Sequence, residues 1–288
     1  MRVVVLGASG VVGSALVPAL AGHDVIAVAR SPRTSGDATW IAADLMRAED
    51  ARRALDGADV AVHLVHSLGQ PGYEQRDLVI AKNVAAAAEA EGLSQIVYLG
   101  GLGDTSTALS PHLRSRHETG LALASGSVPV TTLRAGIIVG RGSAAFETIV
   151  ALVDRLPAMI CPRWVSVPTQ PVALADVVAI IAGAIGRETT IGHAFDVGGP
   201  EVMTYREMID RIARIRGRRP LIVEVPVLTP RLSSWWLHLV TPVKASIARP
   251  LIDGLRNPTV AHDDRIRELV PAPLTPFDDA VRVALAVS

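Results

Sequence analysis

Residues able to do chemistry cluster first at the N-terminus, where Arg2-Val3-Val4-Val5-Leu6 runs directly into Gly7-Ala8-Ser9-Gly10-Val11-Val12-Gly13. An apolar strand, a Gly-x-x-Gly-x-x-Gly turn and a helix in that order present unpaired backbone N–H groups and the positive end of a helix dipole to an anion. The chemistry implied is dinucleotide pyrophosphate binding: Gly7 permits the turn, Gly10 the close approach, and Gly13 the packing of the following helix on the strand. Gly7, Ser9, Gly10, Val11, Val12 and Gly13 are the expected contacts.

The next strand, Asp24 to Ala29, bears on which dinucleotide binds. In such a fold its end lies beside the adenosine ribose, roughly 20 residues past the glycines, where an acid would accept from a free 2′-hydroxyl. No acid stands there. The strand instead leads into Ala29-Arg30-Ser31-Pro32-Arg33, and the guanidiniums of Arg30 and Arg33 suit a 2′-phosphate, so NADP(H) is expected over NAD(H). Asp24, at the start of the strand, is assigned to the preceding turn. After Trp40 to Ala43, Asp44 and Leu45 lie where an adenine ring would be bracketed; Asp44 serves equally as a cap for the next helix.

These residues must be positioned by elements, and the hydrophobic pattern supplies them. Strands are expected at 2–6, 24–29, 59–65, 95–100 and 130–139, with helices near 10–20, 47–55, 75–91 and 112–124. Apolar runs alternating with helices imply a doubly wound parallel α/β sheet covered on both faces, a Rossmann arrangement. A dinucleotide domain is expected over 1–155. A smaller substrate-binding portion, 156–288, packs on it and returns segments to the sheet. In that portion the pattern reads Val165 to Val172, a helix Leu174 to Ile185, a strand Ala194 to Val197, and a Thr204-Tyr205-Arg206-Glu207 capping box whose helix ends at Gly217.

Composition narrows the class. The chain has 288 residues, 49% of them hydrophobic, with zero formal net charge and one cysteine. That balance argues against nucleic acid, which usually leaves a basic stripe. A lone Cys161 excludes an intramolecular disulfide and reads as a buried structural thiol. An N-terminus entering a strand at once leaves no room for a signal peptide, and no apolar run spans a bilayer, so a cytoplasmic protein is expected. His63 and His66 flank the end of the third strand as core or pocket lining, His66 being the pocket residue. Two histidines without further ligands point to no metal.

Over nearly its whole length the chain resembles the short-chain dehydrogenase/reductase superfamily, in its atypical, NmrA-like NAD(P)H-binding branch. The resemblance is carried by Gly7 to Gly13, Asp44-Leu45, Asn83-Val84, Tyr98-Leu99-Gly100-Gly101-Leu102, Leu133-Arg134-Ala135-Gly136, Ala175-Asp176-Val177 and Asp196-Val197-Gly198-Gly199-Pro200. His112 to His117 and Val227 to Ser234 resemble a narrower bacterial subgroup, some of whose members continue into another domain. The sequence ends at Ser288, so activity needing that extension is expected to be absent.

The resemblance implies a Ser and a Tyr-x-x-x-Lys pair as the proton-donating device, with further cofactor contacts at Gly100 and Gly101. Tyr73, Tyr98 and Tyr205 are followed four residues later by Asp77, Leu102 and Ile209, and the serine position falls at Gly100 or Gly101. The matching helical pair is His112 and Arg116, one face of a helix at i,i+4. By analogy His112 donates the proton and Arg116 binds ribose or phosphate, although arginine cannot relay a proton as lysine does. The alternative is a polar helix start.

Leu228 to Leu255 carries Trp235 and Trp236 in a chain that is 3% aromatic. It reads as ordinary core, as an apolar acyl- or isoprenoid-sized pocket, or as a patch for a membrane or a second subunit, with Phe146, Met159 and Trp164 on the same side. The expected partner is an apolar small molecule. The sequence therefore supports an NADP(H)-dependent oxidoreductase of an apolar carbonyl, enone or quinone-like compound. A non-catalytic NAD(P)(H) sensor or assembly factor is the second reading, and an epimerase or dehydratase the third.

Overall fold

The computed structural model describes residues 1–31, 38–104, 108–225 and 254–286. In chain order the elements are β1 (Arg2–Leu6), α1 (Val11–Ala19), β2 (Asp24–Ala29), β3 (Thr39–Ala42), α2 (Ala48–Leu55), β4 (Val60–His63), α3 (Tyr73–Glu91), β5 (Gln95–Gly101), α4 (Pro111–Leu123), β6 (Val130–Ala135), β7 (Ile138–Val139) and α5 (Ala144–Arg155). The second half follows with β8 (Ala158–Pro162), β9 (Pro168–Thr169), β10 (Val172–Ala173), α6 (Leu174–Ala184), β11 (Ala194–Val197), β12 (Met203–Thr204), α7 (Tyr205–Ile215), β13 (Leu221–Val225), α8 (Arg265–Leu269) and α9 (Phe277–Leu285).

A seven-stranded sheet in the order β11-β6-β5-β4-β1-β2-β3 forms the centre, and every pairing in it is parallel. Both faces are covered, which is why β1 can be apolar at successive positions. Val3, Val5, Ala27, Val62 and Leu133 pack with Leu16 of α1 and Ile181 of α6 on one face. Val4, Leu6, Ile26 and Ile96 pack with Leu55 of α2, Val84 of α3 and Leu123 of α4 on the other. A third cluster, built on Phe146, Met159, Cys161, Tyr205, Met208 and Phe277, lies in the second half. Phe146 and Met159 are core residues in it, with Trp164 packed edge-on against Tyr205. Burial pushes the Cys161 thiol up to about 11, as suits an inert structural thiol.

The expected strand 130–139 is two strands. The chain leaves the central sheet at Gly136, and β7 pairs in parallel with β10; the Val172 N–H donates to the Ile137 carbonyl at 2.9 Å. The continuous apolar run hides this change of partner, because residues buried in either sheet are apolar. The segment from Trp40 also turns out to be part of a strand, β3, the edge of the central sheet. Thr204 and Glu207 form the expected capping box on α7, and Gly217 ends that helix region with φ +65°. Asp24 makes an ion pair with Arg2 at 2.9 Å.

One contact sets the depth of the N-terminal turn. A β-carbon at Gly13 would lie 2.5 Å from the Gly7 carbonyl oxygen and 2.7 Å from the Ala8 Cα, both backbone atoms. Gly13→Ala should therefore push α1 off β1, costing about 1 to 3 kcal/mol by overpacking. A denaturant midpoint that does not move would show that α1 adjusts freely.

Candidate functional site

The site begins at the sheet's reversal point, where β1 has β2 on one side and β4 on the other. Gly7 adopts φ +87°, and its N–H and that of Ala8 both donate to the Val28 carbonyl, at 3.1 and 3.0 Å. The turn thus ties β1 to β2. On the β4 side a Gly7 β-carbon would stand 3.1 Å from backbone atoms of Leu64 and Val65. Gly10 is the N-cap of α1, with φ −75° and ψ 176°, and makes no side-chain cap bond. Ser9, Val11 and Val12 are partly exposed and Gly10 is exposed. An exposed helix start with no side chain on its amides suits a pyrophosphate.

Around this start the other cofactor candidates take their places. Arg30 is exposed at the end of β2; Arg33, like the Trp235-Trp236 segment, lies outside the described residues. Asp44 is exposed just past β3 and accepts from the Met46 N–H at 3.2 Å, so its carboxylate shapes the turn into α2. Leu45 is buried, and its carbonyl accepts from Asn83 Nδ2 at 2.9 Å. Gly100 and Gly101 end β5 beneath α4, where added β-carbons would meet Tyr98 and Leu113.

A cluster of titratable groups stands beyond β4. His63 is in the sheet core, 1% exposed, whereas His66 lies in the loop above it with its side chain 23% exposed. His66 Nδ1 is 2.6 Å from Asp77 Oδ2, and the Ser67 N–H donates to Asp77 Oδ1 at 2.8 Å. The His112 ring, at the start of α4, has its centroid 5.2 Å from that of His66. Arg116, one turn further along α4, donates to the carbonyls of Leu99 and Val65 and lies 4.9 Å over the Tyr98 ring. The structure thus brings His66, His112 and Arg116 together and adds Asp77. Sequence reasoning missed this acid, which reaches the loop from α3.

Burial and the adjacent Arg116 guanidinium lower the affinity of all three histidines for a proton. His63 is brought down to about 3, by burial first and then Arg116. His112 is also brought to about 3, by burial, then His66 and Arg116. His66 moves the same way from burial and Arg116, with Asp77 opposing. Burial pushes the Asp77 carboxyl up, but the His66 and Ser67 hydrogen bonds outweigh it and hold the carboxyl below its ordinary value. The cluster is therefore a carboxylate with neutral imidazoles at neutral pH. Tyr98 does not substitute for a catalytic tyrosine: it is buried, and its hydroxyl donates to the Arg116 carbonyl at 2.7 Å.

A cavity of about 240 Å³ lies between α4 and the β5-β6-β11 side of the sheet, with Gly101, Leu113, Arg116, His117 and Arg134 in its wall. Neither the glycine turn nor His66 and His112 line it. The uncapped turn and histidine cluster, rather than this cavity, therefore define the candidate site. Among the described residues no group of three or more His, Cys, Asp or Glu could hold a metal ion, and no helix is long and apolar enough to cross a membrane.

The fold and the turn define a dinucleotide-binding α/β protein. Residues 7–128 match the model of an NAD(P)H-binding family. Solved structures of the same fold include a nucleoside-diphosphate-sugar epimerase from Staphylococcus aureus, 16% identical, with a TM-score of 0.78 over 98% of this chain and 100% of that one. The Citrobacter sp. triphenylmethane reductase complexed with NADP(H) is 18% identical, with a TM-score of 0.77 over 99% and 100%. The Thermus thermophilus UDP-glucose 4-epimerase complexed with NAD is 18% identical, with a TM-score of 0.75 over 100% and 98%. An uncharacterized protein of Mycobacterium tuberculosis is 28% identical over 232 residues, 79% of this chain but 25% of that protein. An uncharacterized Mycobacterium bovis protein matches to the same extent. The chain thus spans about a quarter of the length of these relatives.

The buried histidines make stability depend on pH. The unfolded chain takes up protons on them near pH 6.5, whereas folded His63 and His112 do so only near about 3. Their contribution is present above pH 6.5 and is lost as pH falls toward 3, and the lowered Asp77 carboxyl acts in the same direction. Denaturation midpoints measured from about pH 7.5 to 4.5 should fall steadily below about pH 6.5, less so in His112→Gln. A flat profile between about pH 7 and 5 would contradict the buried neutral assignment.

Proposed function

We propose that the protein is an NADP(H)-dependent oxidoreductase of an apolar carbonyl, enone or quinone-like small molecule, with His112 as the group that exchanges a proton with the substrate. The observation that carries this reading is the juxtaposition of the uncapped α1 start with the His66-His112 cluster across adjacent strands β1 and β4. A dinucleotide laid across that junction has its pyrophosphate on the amides of residues 11–13 and its reactive ring toward the histidines. When bound it supplies hydride transfer. The chain's own residues bind, orient and handle the proton.

The fit rests on the turn itself. Gly10 faces open space apart from the Gly7 carbonyl oxygen, 3.2 Å from where its β-carbon would lie, so a side chain there would project into the anion's place. Arg30 supports the choice of NADP(H), because it stands exposed where β2 ends and no acid accompanies it. Structures of this fold are found with NADP(H) and with NAD, so the choice rests on residues rather than on the fold. Arg116 orients α4 through the Leu99 and Val65 carbonyls, and burial, with His66 and then Arg116 adding to it, keeps His112 neutral. The apolar substrate class follows from the Trp-rich composition of residues 228–255.

A non-catalytic sensor of the NmrA type is the second reading, favoured by the missing Ser-Tyr-Lys device. In it the bound dinucleotide stabilises one conformation that a partner reads.

Three measurements test these assignments. In calorimetric titration NADPH should bind more tightly than NADH, and Arg30→Ala should reduce the preference by roughly 10- to 150-fold, the loss of one charge-assisted contact; equal affinities would remove the phosphate role. Gly10→Val should abolish binding of both dinucleotides with an unchanged melting curve, since its φ of −75° suits valine. In a screen of apolar carbonyls and quinones, His112→Ala should lower kcat by about 10²- to 10⁴-fold with cofactor affinity intact. Absence of any turnover, with dinucleotide-dependent capture of a partner, would favour the sensor.

A further inference from the structure

Asp77 is a buried acid, 1% exposed, on α3. Its two oxygens accept from the Ser67 N–H and from His66 Nδ1. A carboxylate only accepts, so the hydrogen in the His66 contact sits on Nδ1, and Nε2 carries a bare lone pair. That Nε2 is buried without a hydrogen-bond partner, and so is Nδ1 of His112. The two rings are 5.2 Å apart with planes inclined by 36°, a separation that accommodates one hydrogen bond between ring nitrogens. The two atoms are not hydrogen-bonded to each other as the rings stand; hydrogen on His112 Nδ1, donated to His66 Nε2, would satisfy both with one bond. His112 Nε2 is then left as the outward acceptor.

We propose that Asp77, His66 and His112 form one proton relay, in which His112 meets the substrate and Asp77, acting through His66, sets which nitrogen of His112 carries hydrogen. The relay rests on the oxidoreductase reading above; Asp77 and His66 are positioning residues in it. In alcohol oxidation the hydroxyl proton passes to His112 Nε2 and the Nδ1 proton passes to His66 Nε2. The O–H electron pair becomes the second C–O bond, and the C–H pair leaves as hydride to the oxidised dinucleotide. Positive charge ends on His66, where Asp77 is its counter-ion. Carbonyl reduction is the reverse: a proton taken from solvent makes His66 doubly protonated and His112 an Nε2–H imidazole, and His112 Nε2 then delivers its proton to the carbonyl oxygen as His66 Nε2 returns one to His112 Nδ1. The groups facing His66 are Asp77 and Tyr73 on α3, His112 and Arg116 on α4, and His63 on β4. Tyr73 is pushed up to about 12 and stays neutral, so Asp77 is the one anion among them.

Nitrogen-15 histidine NMR of the full chain, read beside dinucleotide titration and steady-state kinetics, tests the relay. Wild-type protein should show His66 and His112 both as Nδ1–H tautomers. Asp77→Asn keeps an acceptor for the Ser67 N–H but turns a donor toward His66 Nδ1. It should invert both tautomers and lower kcat on the order of 10²-fold, with KM and dinucleotide affinity unchanged. Unmoved His112 resonances in Asp77→Asn, with dinucleotide still bound, would overturn the relay alone. Failure of wild-type protein to bind either dinucleotide would overturn the oxidoreductase reading and the relay with it. If Asp77→Asn does not fold, His112→Leu provides the same test: His66 Nε2 loses its donor and its resonance must shift, and an unshifted signal overturns the relay.

Discussion

Two close approaches, of α1 to the end of β1 at Gly13 and of the Gly7 turn to the chain leaving β4, are made possible by missing β-carbons and govern the geometry of everything around them. With Gly13 against the Gly7 carbonyl, α1 starts directly above β1 and its first amides face the crevice at the sheet's reversal point. Close approach of Gly7 to Leu64 and Val65 then places the chain leaving β4 beside the same crevice. His66 follows directly in that chain. A side chain at either glycine would separate the anion-binding end of α1 from the histidine cluster, and the two halves of the proposed chemistry would no longer share one ligand.

The electrostatic character of the site follows from how that crevice is walled. Asp77 and Arg116 bring one negative and one positive charge into a setting where three imidazoles are buried or partly so. Each charge is held by backbone: Asp77 by the Ser67 N–H, Arg116 by the Leu99 and Val65 carbonyls. The same burial that keeps His112 neutral lowers stability in acid, so the proposed proton chemistry and the pH sensitivity share one arrangement.

The parts legible in the sequence are those whose signal is contiguous. Strand, glycine turn and helix are adjacent in the chain, as are Thr204 and Glu207 of the capping box, and local rules suffice for them. The i,i+4 pair His112 and Arg116 is legible as one helical face, yet what that face meets is not. Asp77 and His66 come from α3 and the β4 loop, and no spacing rule relates them to α4. The strand expected over 130–139 failed for a related reason: Gly136 turns the chain toward β10, and burial in two different sheets leaves the same apolar run. Arg116 was expected to bind ribose or phosphate; in the structure its guanidinium is engaged with main-chain carbonyls. Arg33 and the Trp235-Trp236 segment lie outside the described residues.

The most direct test of the central claim is a crystal structure of the protein with NADPH. The pyrophosphate should lie within hydrogen-bond distance of the backbone N–H groups at the start of α1, the 2′-phosphate against Arg30, and the nicotinamide at the end of β4 beside His66 and His112. A dinucleotide bound with its pyrophosphate away from the Gly7 to Gly13 turn, or its nicotinamide remote from both histidines, would contradict it.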